Sequence, residues 1–526
     1  MITRAISIEY YILLLWSCMA IGTVLYVSSY YVNPVLTPKW IAFFAVIIAG
    51  LLLSFPFSLF KKNNIEWKHL YKNICRCTNT IVFIEVLIAV SQRLFGIFYF
   101  NCCHAGTFDN VAGLSACIVL AYPMGFAFFE KYAFIERILF LISKFVCLVT
   151  VLLYGSRIGI ICLVFSLLLI ISYKHKFSRL SAYLFLVVSL PLSASLWKAQ
   201  STSGRWFILR NTIRMISERP LTGWGVDGFR NNYMNVQANY FSTHTDTAHA
   251  LVAGNIHHPL NEYLHLAVNY GIPVCLLIVI FIFTSFFFLR NNKDLYSVEG
   301  MNILQCACLL SFFSYPFSYP FTWSVVVLAL FVMFNRMIRV ILSMKYTKRI
   351  YLLLIALSIL SIKPLFAEID FQLRWKNASN IASFDSFKNA QTEYEELRGM
   401  ENVTPRFLYN YACEAYDAEQ YGLSLSLSES ASSQLADYEL QMLLADSYNS
   451  LHKDSSAIKA YTHAHHMCPS RVAPCYEIYM IYSHSSDTLN CQRWYHKIKK
   501  MPIKVRSSLV KVMLEDIEND FIRYNY

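Results

Sequence analysis

Two segments, SGRWFILRNTIRMISERPLTGWGVDGF (203–229) and HHPLNEYLHLAVNYG (257–271), lie between apolar runs long enough to cross a bilayer. The first carries Arg205, Arg210, Arg214 and Arg219, and the second opens on His257 and His258. Arginines and histidines on a loop between spans point to the handling of an anion. The rest of the chain agrees with that setting. Its residues are 56% hydrophobic and only 15% charged, where soluble domains run nearer a quarter charged. Mean hydropathy is +0.42. These values exclude an ordinary soluble protein. The formal net charge of +12 is not a nucleic-acid footprint, because most of the excess falls in loops between spans.

Apolar runs place about eleven spans, near 8–29, 40–60, 79–99, 111–129, 134–153, 157–173, 180–197, 260–289, 299–315, 320–341 and 349–366. The first lacks a small-residue cleavage site and reads as a span rather than a removed signal. Lys and Arg gather in one set of alternate loops: Arg4; Lys61, Lys62, Lys68, Lys72 and Arg76; Lys131 and Arg137; Lys174, Lys176 and Arg179; Arg290 and Lys293; Arg336, Arg339, Lys345, Lys348 and Arg349. The short loops of the other set hold Lys39 and Arg157. The N-terminus is therefore expected in the cytoplasm and the C-terminal region outside. The loop 198–259 is expected outside as well. Its Lys198, Arg205, Arg210, Arg214, Arg219 and Arg230 run against the usual bias, which favours a functional reason for some of them.

The expected fold is all-α: a polytopic membrane helical bundle (1–366), containing the large loop 198–259, followed by a soluble α-helical domain (367–526). In that domain, YELQMLLADSYNSLHKDSSAIKAYTHAHHMCPS (438–470) fits one tetratricopeptide unit. Leu444, Ala445 and Tyr448 fall on its first helix, Ala457, Tyr461 and Ala464 on its second, and Pro469 ends it. A weaker unit follows through Ile478, Tyr482, Cys491 and Tyr495, with a degenerate one near Tyr411 to Ala415. Binding a partner protein and serving as a structural lid are equally open for this TPR-like domain. Disulfides among Cys413, Cys468, Cys475 and Cys491 fit an outer location.

In the loop, Trp206, Leu209, Ile213 and Ile216 recur at a helical period over 205–219. Ser203 or Thr202 is expected to cap that helix, and Pro220 with Gly223 to end it. An interfacial helix with snorkelling Arg210 and Arg214 is one reading. Arg205, at the opening turn, instead suits a phosphate held by helix amides and a guanidinium. Arg157, in YGSRIGI, either anchors the sixth span or faces an anion. Pro259 fits a first helical position, leaving His258 near the N-cap of the eighth span. There it is either a solvated histidine or a proton acceptor, with Asn261 and Glu262 in support. His258, Glu262 and His265 share one helix face, with His244, Asp246 and His249 upstream. No HExxH pattern accompanies them, so no metal and no cofactor are expected. Within the spans, Glu85 reads as half of a structural ion pair, Arg93 as near enough to the outer end to join an anion site, and Lys144 as a buried charge.

Four pieces taken in order carry a resemblance: AGTFDNVAGLSA (105–116), GSRIGI (155–160), SGRWFILRNTIRMISERPLTGWGVDGF (203–229) and HPLNEYLHLAVNYGI (258–272). With the span arrangement, they make the chain resemble the bacterial O-antigen ligase-like superfamily of ligases, polymerases and protein O-oligosaccharyltransferases. The resemblance covers about 100–340 and implies metal-independent, inverting glycosyl transfer at the outer face of the inner membrane. The implied donor is a glycan on undecaprenyl diphosphate, and the implied acceptor is lipid A core, with a protein or a growing glycan as alternatives. By the same comparison, Arg157 and Arg205 match diphosphate-binding arginines, with Arg210 beside them, and His258 matches the general base. One departure stands out: many relatives place a second His directly before the Asn, where this chain has Leu260. From other classes, a transporter lacks support because no repeat relates two halves, while a non-catalytic scaffold stays open.

Overall fold

A computed structural model describes residues 8–60, 67–97, 105–174, 179–196, 199–245, 247–289, 295–342 and 347–524. The orienting cations Arg4, Lys61, Lys62, Lys176, Arg290, Lys293 and Lys345, together with Lys198 and Asp246, lie outside them. The protein is membrane-embedded and all-α, with no named strand among the described residues. It divides into two compact units, Met1–Leu196 with Val279–Leu373, and Trp197–Ile278 with Arg374–Tyr526.

The first unit contains α1 (Ile8–Gly22), α2 (Leu36–Phe60), α3 (Trp67–Phe95), α4 (Val111–Ala121), α5 (Phe134–Leu153), α6 (Arg157–Lys174) and α7 (Arg179–Leu196). Four helices among the described residues are long and apolar enough to cross a membrane: Leu36–Leu53, Trp67–Phe95, Leu295–Phe313 and Leu352–Phe384. The helix expected over 111–129 is shorter. It stops at Ala121, and Gly125 adopts a left-handed conformation (φ 96°) before a 3-10 turn. Asn110 caps α4 by accepting from the Gly113 N–H at 2.9 Å, and every residue from Gly113 to Ala121 is buried.

Glu85, Lys39 and Lys144 of this unit are buried with partners, as a low-dielectric interior demands. Glu85 on α3 accepts from the Thr107 N–H at 2.6 Å and the Thr107 hydroxyl at 2.8 Å. Lys39 donates to the same Thr107 Oγ1 at 2.9 Å, so the threonine links acid and ammonium. Gln92 brackets the neighbouring Gly106, donating to its carbonyl at 2.9 Å and accepting from its N–H at 2.7 Å. Lys144 donates to Asn79 Oδ1 at 2.6 Å and to the Ala121 carbonyl at 3.1 Å, with the Phe140 ring centroid 5.0 Å away.

The loop between α7 and the next span folds into α8 (Ala199–Glu218), α9 (Gly228–Thr243), α10 (Thr247–Ala250) and α11 (Glu262–Tyr270). The expected eighth span, 260–289, is therefore broken. Gly271 (φ 86°) separates α11 from α12 (Ile272–Leu289). Then come α13 (Leu295–Phe313), α14 (Pro320–Leu342) and α15 (Thr347–Phe384). The boundary expected at 366/367 falls inside α15, which continues unbroken past Pro364.

After α15 come α16 (Phe387–Arg398), α17 (Pro405–Asp417), α18 (Tyr421–Ser432), α19 (Tyr438–Ser450), α20 (Asp454–Met467), α21 (Ala473–His484), α22 (Thr488–Lys500) and α23 (Ser508–Tyr524). From α17 to α22 each helix packs on the next. Fully buried Ala445, Ala457 and Ala464 let their backbones approach closely. Cys413, Cys468, Cys475 and Cys491 are free thiols, not the disulfides considered from sequence.

The loop does not stand alone. Phe229, Tyr233 and Met234 of α9 share a core with Tyr438, Ala464, Met467 and Cys468. Gln237 donates to the Met467 carbonyl at 2.6 Å and to the Gly254 carbonyl at 3.0 Å. Asn255 donates to Asp437 Oδ2 at 2.9 Å. Loop and C-terminal helices are thus one folded unit.

Gln237→Leu leaves these two carbonyls without their amide donor, which costs about 2 kcal/mol. Limited proteolysis should then cut the 244–256 segment faster than in wild type, and an unchanged cleavage rate would contradict this packing role.

Candidate functional site

The two sequence blocks that opened the reading meet through their backbones. The Trp224 N–H donates to the Val268 carbonyl at 2.8 Å, Gly225 N–H to Asn269 at 2.9 Å, and Ile272 N–H to Pro220 at 2.8 Å. Contact this close requires glycine at two points. A Cβ on Gly271 would stand 2.1 Å from the Leu221 carbonyl oxygen, and one on Gly223 (φ 68°) would stand 2.5 Å from the Asn269 carbonyl. Trp224 closes the turn by donating from its indole to the Met215 carbonyl at 2.9 Å, and the Arg219 guanidinium lies 4.3 Å from its ring centroid.

Asn269 extends this clamp to side chains. Its Oδ1 accepts the Phe229 N–H at 3.0 Å. Its amide nitrogen therefore faces His265 Nε2, 3.1 Å away. His265 Nε2 is then an acceptor, and the neutral ring carries its proton on Nδ1. One helical turn earlier, Asn261 caps α11 by accepting from the Leu264 N–H at 3.0 Å. The expected start of this helix is thus corrected: neither Pro259 nor His258 begins it. Leu260 takes a left-handed conformation (φ 57°) and donates its N–H to His258 Nδ1 at 3.0 Å. The neutral His258 ring accordingly carries its proton on Nε2.

Glu262 stands between the two rings. Its Oε2 lies 3.9 Å from His258 Nε2 and 3.8 Å from His265 Nδ1, and the ring centroids are 4.6 Å apart. The carboxylate and both imidazoles are largely withdrawn from water, with side-chain exposures of 11%, 17% and 27%. Burial, and next the neighbouring His265, lower the His258 pKa to about 3. His258 stays neutral through the physiological range.

His258, Glu262 and His265 offer ligand atoms within 4.8 Å of one another, a two-histidine, one-carboxylate set of a kind zinc accepts. Ligation through His258 Nε2 would move the proton to Nδ1 and break the Leu260 bond. Ligation through His265 Nδ1 would set Nε2–H against the Asn269 amide. The hydrogen bonds therefore turn N–H groups, not lone pairs, toward the centre of the trio.

The arginines lie elsewhere on their elements. Arg205 is exposed and sits within α8, which begins at Ala199. The expected helix start at Ser203 or Thr202 is overturned, and with it the amide-plus-guanidinium argument at that position. Arg210 places its guanidinium 5.5 Å from the Tyr240 ring centroid. In the first unit, Arg157 opens α6 beside Gly155 (φ 65°). Arg93 is exposed near the end of α3, close enough for its charge to act on Tyr154. Sequence reasoning missed the part played by Asn269; its spacing of i, i+4 from His265 was the available signal.

Residues 142–279 match the family model described as O-antigen ligase. No curated protein matches the chain. The matched span, about a quarter of the chain, holds Arg157, α8, the glycine clamp and the His258–Glu262–His265 trio, and over this span the chain is similar to the O-antigen ligase family.

Proposed function

We propose that the protein transfers a glycan from undecaprenyl diphosphate to an acceptor hydroxyl at the periplasmic face of the inner membrane, as an O-antigen ligase with lipid A core as acceptor. The observation that carries this reading is the O-antigen ligase match over 142–279, a segment that contains Arg157, Arg205 and the withdrawn trio. The N-terminus is then cytoplasmic and the helices after α15 are periplasmic. The reaction is a single displacement with inversion and needs no metal ion.

The chemistry asks for two things. A leaving diphosphate gains negative charge as the sugar C1–O bond breaks, and fixed guanidiniums oppose that charge without reorganising. By the family resemblance, Arg205, with Arg210 in support, and Arg157, with Arg93 near its turn, are the candidates for this role. Arginine suits it better than lysine because its planar fork meets two phosphate oxygens at once. The acceptor hydroxyl must also lose its proton, and the His258–Glu262–His265 trio provides for that.

A protein acceptor is the second reading. It is favoured by the helices after α15, which we read as a TPR-like domain, because they share one core with the loop that bears the trio. Extension of a lipid-linked glycan is the third.

Purified protein offered lipid-linked glycan with lipid A core, a secreted protein and a second lipid-linked glycan should modify the core lipid. Exclusive modification of either other acceptor would replace the ligase reading with the corresponding one. Arg205→Ala and Arg157→Ala should each lower transfer by about a hundredfold or more while leaving the protein inserted, and lysine at either position should restore little. Near-normal transfer by a variant would remove that arginine from the chemistry.

A further inference from the structure

The residue directly before Asn261 is Leu260, which has no side chain able to take a proton. What takes the acceptor's proton must therefore be read from the surroundings. Leu260 contributes its backbone N–H, which occupies His258 Nδ1 at 3.0 Å. With its ring proton on Nε2, His258 in this state gives a hydrogen bond at that nitrogen and cannot take a proton there. This departs from the expectation that His258 is the base. His265 is held the same way round by Asn269, 3.1 Å from its Nε2.

We infer that His258 Nε2–H, His265 Nδ1–H and the Glu262 carboxylate form a binding site for one hydroxyl oxygen, in which Glu262 is the proton acceptor and the two imidazoles are donors. The inference rests on the glycosyl-transfer reading above and assigns its acceptor site. The three inward atoms are separated by 3.8 Å, 3.9 Å and at most 4.8 Å. The first two separations are too long for direct hydrogen bonds between the atoms. An oxygen standing slightly off their plane comes within roughly 2.8 Å of all three, the ordinary hydrogen-bond length. Two inward N–H groups suit such an oxygen and repel a cation.

The step balances. The bound hydroxyl keeps the hydrogen bond from one imidazole, its second lone pair turns from the other imidazole to the sugar C1, and its own proton passes to Glu262 Oε2. That lone pair forms the new bond to the sugar C1, and the pair of the former O–H bond stays on the oxygen. The old bond from C1 to the diphosphate oxygen breaks, and that electron pair leaves with the lipid diphosphate. Negative charge building on the acceptor oxygen meets an N–H donor in a water-poor site, where such a donor is most effective. The carboxylate takes the proton in this step and afterwards returns it to solvent.

The test uses the full-length protein in detergent or nanodiscs with the three-acceptor assay. Glu262→Gln, nearly isosteric, should lower transfer by about a thousandfold, and Glu262→Ala should recover part of its activity when formate is added. His258→Gln keeps an N–H donor near the Nε2 position and should hold transfer within about tenfold of wild type, whereas His258→Ala should fall by about a hundredfold. A chelator should leave the wild-type rate unchanged. The assignment is overturned if Glu262→Gln transfers normally, if formate restores nothing to a folded Glu262→Ala, if His258→Gln is as inactive as His258→Ala, or if chelation abolishes transfer and zinc restores it. A wild-type protein inactive with every acceptor would instead remove the glycosyl-transfer reading, and this assignment with it.

Discussion

The contact between the turn after α8 and the end of α11 holds the candidate site in shape. It is made of backbone hydrogen bonds, with Trp224, Gly225 and Ile272 as donors. It exists only because Gly223 and Gly271 present no Cβ to the opposing carbonyls. Backbone groups on both sides are fixed, so neither could yield to a side chain. From this contact a short series of consequences runs outward. The end of α11 is held, Asn269 is turned so that its oxygen meets Phe229, and its nitrogen then sets the tautomer of His265. On the other side of Glu262, the left-handed Leu260 sets the tautomer of His258. A backbone N–H and a side-chain amide thus decide what two imidazoles can do.

The membrane unit shows the same economy with charge. Glu85, Lys39 and Lys144 are buried, and an uncompensated ion there would cost several kcal/mol or more. Each is met instead by groups the chain already had to satisfy: the Thr107 amide and hydroxyl, the Ala121 carbonyl at a helix end, and the Asn79 amide. The 105–108 turn, pinned by Glu85 and Gln92, leads directly into the Asn110 cap of α4. Polar side chains within spans here hold irregular backbone in place, the circumstance in which such backbone is tolerated at membrane depth.

The helices after α15 gain a role from their packing. Gln237, Asn231, Asn255 and the α9 aromatics join the loop to α19 and α20. A long loop carries many backbone polar groups that must find partners, and here the Asn231 carbonyl finds the Ala436 N–H at 2.9 Å. Whatever else these helices bind, they support the segment that carries the trio.

Much of this was legible in the sequence because it depends on composition and period. Apolar runs marked the membrane helices, and the small-residue pattern around Ala445, Ala457 and Ala464 marked the α19–α20 pair. The two blocks at 203–229 and 257–271 marked segments whose backbones meet. Local rules failed where a distant contact decided the outcome. Pro259 looked like a helix start, but Asn261 caps α11 because Leu260 is held in a left-handed turn. The run 260–289 looked like one span, but its first turns belong with α8 and α9 through the Pro220–Ile272 contact. Above all, no sequence pattern states which nitrogen of a histidine bears the proton. That depends on which backbone N–H or amide lies 3 Å from the other nitrogen, and only the folded chain brings Leu260 and Asn269 to those positions.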